Sequence, residues 1–245
     1  MDSKIRLDRL LAESGFGTRK EVKKLIKKGY VIVNGKEIKD PSIKIDINST
    51  NVEVEGKPAN YIKDIYVILN KPSGYITSTK DKEMTVMELV SDIPRFEKLF
   101  PVGRLDKDTE GLLFITNDGE LAHRLTHPKW KVPKKYFVII EGELSERNRE
   151  KLNEGIDLGD FKTKPAQVTV LKNNKKTSEL EIEIKEGKYH QVKRMFEKVG
   201  NPVIYLKRIS FGNLLLGKLH TGEYRFLTEE EISQLKSSVN LTKNK

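Results

Sequence analysis

The stretch FPVGRLDKDTEGLLFIT, residues 100–116, gathers the residues best able to do chemistry. It opens on Pro101 and Gly103, turns polar from Arg104 through Asp106, Lys107, Asp108, Thr109 and Glu110, and reaches Gly111. Asp106 follows Arg104 and Leu105. A carboxylate with a cation close by and an apolar neighbour stays ionised while partly desolvated. That state suits a nucleophile or a general base. The same residues would also serve a solvated turn in which Asp106 and Asp108 cap backbone N–H groups. Leu112 to Ile115 then read as a short buried strand, an element rigid enough to fix a reactive loop.

Composition narrows the chemistry. The chain has 245 residues, no cysteine and a net charge of +10. Disulfides, thiolate nucleophiles and cysteine-based zinc sites are excluded, and a reducing compartment fits. Four histidines remain, of which His123 and His127 are spaced i, i+4, but no HExxH pattern accompanies them and no metal is expected. The basic balance suits a polyanionic partner. No run approaches the roughly 18 apolar residues of a membrane span, and residues 1–12 are too charged for a secretory signal, so a soluble cytoplasmic protein is expected.

The elements that must position the loop are legible on either side of it. Leu7, Leu10 and Leu11 mark a short amphipathic helix ended by Gly15 and Gly17. Thr18 and Glu21 form a capping box for a second helix, with Val22, Leu25 and Ile26 as its apolar stripe. Its other face carries Arg19, Lys20, Lys23, Lys24, Lys27 and Lys28, a face able either to track RNA phosphates or simply to be solvated. Asn34-Gly35 signals a hairpin turn after a strand at 30–33. Residues 1–60 hold 13 Lys/Arg against 9 Asp/Glu. Glu55-Gly56-Lys57-Pro58 reads as a linker, which divides the chain into 1–60 and 62–235, with 236–245 as a flexible tail.

Beyond residue 60, strands are expected at 66–69, 112–115, 134–140, 168–171 and 180–185. Helices are expected at 85–90, 120–127, 144–153, from Val192 to about Val199, and 229–235. Leu180, Ile182 and Ile184 alternate with charged residues, so one sheet face is wet. Hairpins interspersed with helices indicate an α+β fold: a small N-terminal domain and a larger domain on a mixed, mainly antiparallel sheet with flanking helices.

The opening IRLDRLLAESGFGTRKEVKKLIKKGYVIVNGKEI closely resembles the S-four-type (αL) RNA-binding domain. Downstream, LNKPSG (69–74), GRLDKDTEGLL (103–113), KKYFV (134–138), EGKYHQVKRMF (186–196) and GEYRFLT (222–228) together resemble the RsuA family of ribosomal RNA pseudouridine synthases. The resemblance implies cofactor-free isomerisation of a uridine. Asp106 matches the family's catalytic aspartate, acting on the ribose as a nucleophile or by assisting elimination. Tyr136 matches its active-site tyrosine, and Lys193 the basic partner of the aspartate. Arg194 is the rival for that partnership, since adjacent residues on a helix point about 100° apart. Arg104, Arg194 and Gln191, with Arg19, Lys20, Lys23, Lys24 and Lys27 of the N-terminal domain, are the implied RNA contacts. YHQVKRM and the Thr163–Ala166 stretch resemble the branch acting on small-subunit (16S) RNA, so the implied partner is ribosomal RNA or an assembling small subunit, met by a monomer. The alternatives are a large-subunit synthase of the same family and a non-catalytic RNA-binding assembly factor. No Gly-rich cofactor loop follows a strand, which disfavours a methyltransferase.

Overall fold

The computed structural model describes residues 4–47, 49–59, 61 and 64–241. The chain forms two compact units, one made of Met1–Asp64 with Ser91–Glu97, the other of Ile65–Val90 with Lys98–Lys245. A single cut near residue 60 does not anticipate that 91–97 groups with the first unit.

The first unit holds β1 (Lys4–Arg6), α1 (Leu7–Glu13), α2 (Arg19–Lys27), β2 (Val31–Val33), β3 (Lys36–Glu37), β4 (Lys44–Asp46), β5 (Val52–Val54) and β6 (Lys57–Pro58). One antiparallel sheet runs β3-β2-β5-β6 and a second pairs β1 with β4. Leu7, Leu11, Val22, Ile26 and Val31 are fully buried together, so the apolar stripes of both helices face one core. The expected capping box starts α2: Glu21 accepts from the Thr18 N–H at 2.7 Å, and Thr18 Oγ1 accepts from the Glu21 N–H at 3.4 Å. Asn34 (φ 49°) and Gly35 (φ 76°) make the turn that two left-handed residues allow. The expected linker is instead a second such turn. Glu55 (φ 51°) and Gly56 (φ 76°) fold β6 back on β5, with Val54 opposite Lys57.

The second unit contains β7 (Tyr66–Lys71), β8 (Phe100–Val102), β9 (Glu110–Thr116), α3 (Gly119–Thr126), β10 (Lys134–Glu141), α4 (Glu146–Glu154), β11 (Gln167–Lys172), β12 (Thr177–Ile184), α5 (Gln191–Lys198), β13 (Val203–Phe211), β14 (Leu214–Leu215), β15 (Tyr224–Phe226) and α6 (Glu229–Ser238). Its sheet runs β11-β12-β10-β13-β9-β7-β15, with β14 beside β13 and β8 beside β9. Every pairing is antiparallel except β13 with β9, where Arg208 lies opposite Gly111. The architecture is α+β on a mixed, mainly antiparallel sheet, as expected. Ile68, Leu112, Phe114, Leu121, Phe211, Leu214 and Leu235 form much of one core.

Some boundaries differ from those expected. Residues 85–90 form only a 3₁₀ turn at Glu88–Val90. The last helix runs past Leu235 to Ser238, and Val239 is fully buried. Arg124 Nη1 donates to the Val239 and Asn240 carbonyls at 3.1 and 2.7 Å, so the chain is tied down where a tail was expected. Residues 242–245 lie outside the described residues. Among the described residues no helix is long and apolar enough to cross a membrane.

Candidate active site

The loop 103–109 joins β8 to β9, which pair antiparallel with Val102 opposite Phe114. It is pinned from below by Lys71, a fully buried lysine of the Asn-Lys-Pro turn. Its ammonium donates to the carbonyls of Pro72 (3.0 Å), Lys107 (3.0 Å) and Thr109 (2.8 Å). Burial pushes the Lys71 amine down to about 8, against the pull of Asp108, Glu110 and Asp106. Thr77 Oγ1 donates to the Leu105 carbonyl at 2.8 Å and accepts from the Leu105 N–H at 3.2 Å. The Gly74 N–H reaches the Lys107 carbonyl at 2.8 Å. The LNKPSG motif is thus the foundation of the loop. A Cβ at Gly111 would lie 2.2 Å from the Arg208 carbonyl oxygen, and Gly111 has φ 100°, so only glycine admits the close parallel pairing that ends the loop.

Asp106 stands at a cleft of about 620 Å³, its side chain 29% exposed. His190 Nε2 lies 3.5 Å from Oδ1 and Lys193 Nζ 3.9 Å from Oδ2. Lys193 is closer to Asp108, whose two oxygens it reaches at 2.6 and 2.7 Å. The partner expected for Asp106 is therefore shared, and Asp108, expected as at most a capping residue, holds it. That hydrogen-bonded lysine keeps the Asp108 carboxyl below the usual carboxylate range. α5 supplies Lys193 from its first turn, just after His190, which adopts a left-handed φ of 46°.

Arg194 points elsewhere. It pairs with Asp160, donates to the Leu158 carbonyl at 3.3 Å and covers the Phe161 ring at 5.4 Å. It does not line the cleft. Gln191 does line it but is 3% exposed and committed to the preceding loop. Its Nε2 donates to Glu186 at 2.8 Å and its Oε1 accepts from the Lys188 N–H at 3.0 Å. Both were expected as RNA contacts, and here both brace structure. Arg104 is exposed on the cleft.

The floor comes from the sheet. Tyr136 is 7% exposed, and its hydroxyl has no hydrogen-bond partner among the described residues. Register explains its neighbours. Lys134 lies opposite Phe211 and Lys135 opposite Ser210, but Tyr136 lies opposite Arg208. The bulge at Ile209 slips the alternation of β13 by one residue, and bulges re-aim side chains in this way. Lys134, Tyr136, Arg208 and Phe211 consequently share one face and all line the cleft. Lys134 donates to the Val132 carbonyl at 2.9 Å, and burial together with nearby Arg208 lowers its amine to about 8. Sequence reading missed Lys71, Lys134 and Arg208. The available signal for Arg208 was its place two residues beyond Leu206, on the same side of an alternating strand.

In the first unit, Arg19, Lys20, Lys23, Lys24 and Lys27 are all exposed on α2. Two of them lean on a buried carboxylate: Asp8 lies 3.7 Å from Arg19 and 3.8 Å from Lys23, and also accepts from Arg6 at 3.1 Å. The hydrogen bonds from Arg6 hold Asp8 below the usual carboxylate range. Lys20, Lys24 and Lys27 make no side-chain hydrogen bond or salt bridge among the described residues, and Lys24 has only the nearby Glu21 charge.

Known proteins share this layout. Residues 65–198 match the family described as RNA pseudouridylate synthase, and residues 5–51 match the S4 domain. An uncharacterized RNA pseudouridine synthase of Bacillus subtilis is 47% identical, the alignment covering 94% of this chain and 98% of that protein. The ribosomal large subunit pseudouridine synthase B of Bacillus subtilis is 39% identical, covering 98% of each. The ribosomal small subunit pseudouridine synthase A of Vibrio vulnificus is also 39% identical, covering 94% of this chain and 99% of that protein. A crystal structure of a pseudouridylate synthase superposes with a TM-score of 0.66 at 37% identity, covering 94% of this chain and 99% of that one. The loop, its tether and the cleft lining other than Leu206, Arg208 and Phe211 fall inside the stretch 65–198, and the chain belongs to the RNA pseudouridine synthase family.

Proposed function

We propose that this chain converts one uridine of small-subunit ribosomal RNA to pseudouridine, with Asp106 as the residue acting on the ribose. The observation that carries this reading is a half-buried Asp106, fixed on a pinned loop, beside Lys193 and facing a cleft floored by Tyr136. In the reaction the N-glycosidic bond breaks, the uracil turns while held, and C5 bonds to C1′. C5 gives up a proton and N1 takes one. Asp106 attacks C1′ or removes a proton from the sugar, with the Lys193 ammonium 3.9 Å away as its cationic neighbour. Tyr136 supplies an aromatic face for the turning base. The target nucleotide must leave its stack, at a cost of a few kcal/mol. The cations of α2 offset that cost by holding flanking RNA phosphates.

The relatives named for the two ribosomal subunits are equally similar, so identity does not choose between them. The preference for the small subunit rests on the YHQVKRM stretch around Lys193 and on Thr163–Ala166. The test is pseudouridine mapping of both ribosomal RNAs from cells lacking the protein, complemented with wild type or Asp106→Asn. One small-subunit site should vanish and return only with wild type. Loss of a large-subunit site instead keeps the chemistry and overturns the target. Persistence of every site overturns both.

A further inference from the structure

One cation on the cleft floor has no task in the reaction described above. Arg208 is 1% exposed and lines the cleft. Its Nε donates to the Leu112 carbonyl at 2.7 Å, which anchors the guanidinium across the parallel β9–β13 pair. Its Nη2 is buried and has no partner among the described residues. A buried guanidinium nitrogen without an acceptor is costly, and such an orphan in a native site calls for a ligand that satisfies it. The strand has been bent to present this residue. Without the bulge, Ile209 would lie beside Tyr136.

We propose that Arg208 recognises the uracil itself, its Nη2 donating to a pyrimidine carbonyl oxygen of the extruded base. This inference rests on the pseudouridine synthase reading and names how that site reads its base. The position selects a base over a phosphate. Tyr136 and Arg208 are cross-strand neighbours on one face, so a ring lying against the phenol has its edge toward the guanidinium. A phosphodiester stays with the chain at the mouth, where Arg104, Lys185 and Lys188 are exposed.

The chemistry gives the contact a catalytic consequence. When N1–C1′ breaks, the electron pair stays with the ring and spreads onto its two carbonyl oxygens. A guanidinium is always protonated and transfers nothing. A fixed donor aimed at an oxygen that gains charge stabilises the transition state more than the ground state. The same contact holds one edge of the ring while its other bonds are exchanged.

The test pairs an atom with the residue. Target RNA is prepared with uridine, 2-thiouridine or 4-thiouridine at the modified position, and single-turnover rates are measured with wild type and Arg208→Lys. The lysine retains a donor for the Leu112 carbonyl. On uridine, Arg208→Lys should slow the reaction about 10²-fold, the usual effect of removing one such donor. Sulfur at the contacted oxygen should slow wild type about tenfold, because it accepts hydrogen bonds poorly, and should slow Arg208→Lys by less than about twofold. Which thio position responds identifies O2 or O4, and either supports the proposal. Wild type indifferent to both sulfurs overturns it, whatever the variant does to folding. So does a thio effect that persists in Arg208→Lys, or a variant that raises KM alone, the pattern of a phosphate grip. Binding of the three RNAs to Asp106→Asn separates this from the reaction itself. Failure of wild type to make any pseudouridine while Asp106→Asn still discriminates the thio RNAs removes the reaction and keeps the base contact; loss of both removes both.

Discussion

Lys71 is the residue whose removal should do most harm without touching substrate. Its three carbonyl partners belong to the turn and to the loop that carries Asp106. Lys71→Met removes the ammonium from the Pro72 and Thr109 carbonyls and leaves the Lys107 carbonyl only the Gly74 N–H, which costs about 3 kcal/mol, and lets the loop drift, which should lower product formation about 10²-fold. The amine also gives a pH signature. Its folded-state value is about 8 against an ordinary 10.5. Below about 8 both states are protonated and the folded state bears the full cost of the buried charge. Between about 8 and 10.5 the unfolded state binds more protons, so the folded state gains stability as pH rises. Thermal melts should therefore show the gap between wild type and Lys71→Met widening from pH 8 to pH 10. Asp106, Tyr136 and Lys193 were legible as candidates through the resemblance of their motifs to the RsuA family, and the fold brings all three to one cleft region. Lys71 was not, since a lysine in an Asn-Lys-Pro-Ser-Gly turn reads as solvated. The Lys193–Asp108 pair was hidden because the two are joined only when α5 meets the loop.

At the scale of elements, α5 sorts two adjacent cations to different tasks. Lys193 goes to the loop and Arg194 to Asp160. α6 is fixed by a comparable device. Thr228 and Glu231 form a capping box, and Arg225 reaches both Glu231 oxygens at 2.7 and 2.8 Å. Arg225 holds the Glu231 carboxyl down to about 2, from an ordinary 4.5. The stability this contributes is present above about pH 4.5 and is lost as pH falls toward 2. Both partners are partly exposed, so solvent screening leaves about 1 kcal/mol, or about 2–4 °C in Tm. Glu231→Gln should melt lower than wild type by that much at pH 7, and the two should converge near pH 2. Capped helices and alternating strands were readable ahead of the structure, as Thr18 and the β12 pattern illustrate. Elements fixed by tertiary contact were not. Glu55-Gly56 has the composition of a linker and becomes a hairpin only because β5 is there to pair. The C-terminal segment has a tail's polarity, yet Val239 has a core to enter.

For the molecule as a whole, the charge of +10 gains meaning from where it is unneutralised. Lys20, Lys24 and Lys27 are exposed and make no salt bridge among the described residues, whereas Arg19 and Lys23 are steadied by Asp8. Replacing these three lysines by glutamine should weaken RNA binding and flatten the dependence of log K on log salt by roughly 2, at about 0.7 per lost phosphate contact. The single-turnover rate at saturating protein should stay within about twofold, because those lysines supply uniform binding. Substitution is a cleaner probe than truncation at residue 60, which would leave 91–97 without its unit.

The edge strand of the catalytic sheet bears on how the protein is made. β15 pairs with β7, setting Tyr224 against Leu69, and the Asn70 carbonyl beside Lys71 accepts from the Gly222 N–H at 2.8 Å. The strand that leads into the tether is thus completed by residues near the end of the chain. At about 5–20 residues per second, a translating ribosome has carried β7 exposed on one edge for on the order of ten seconds before its partner emerges. Contacts so distant in sequence also form slowly. The sheet that carries the tether is completed only once β15 has been made, and the interval before then is when the chain most needs protection from aggregation.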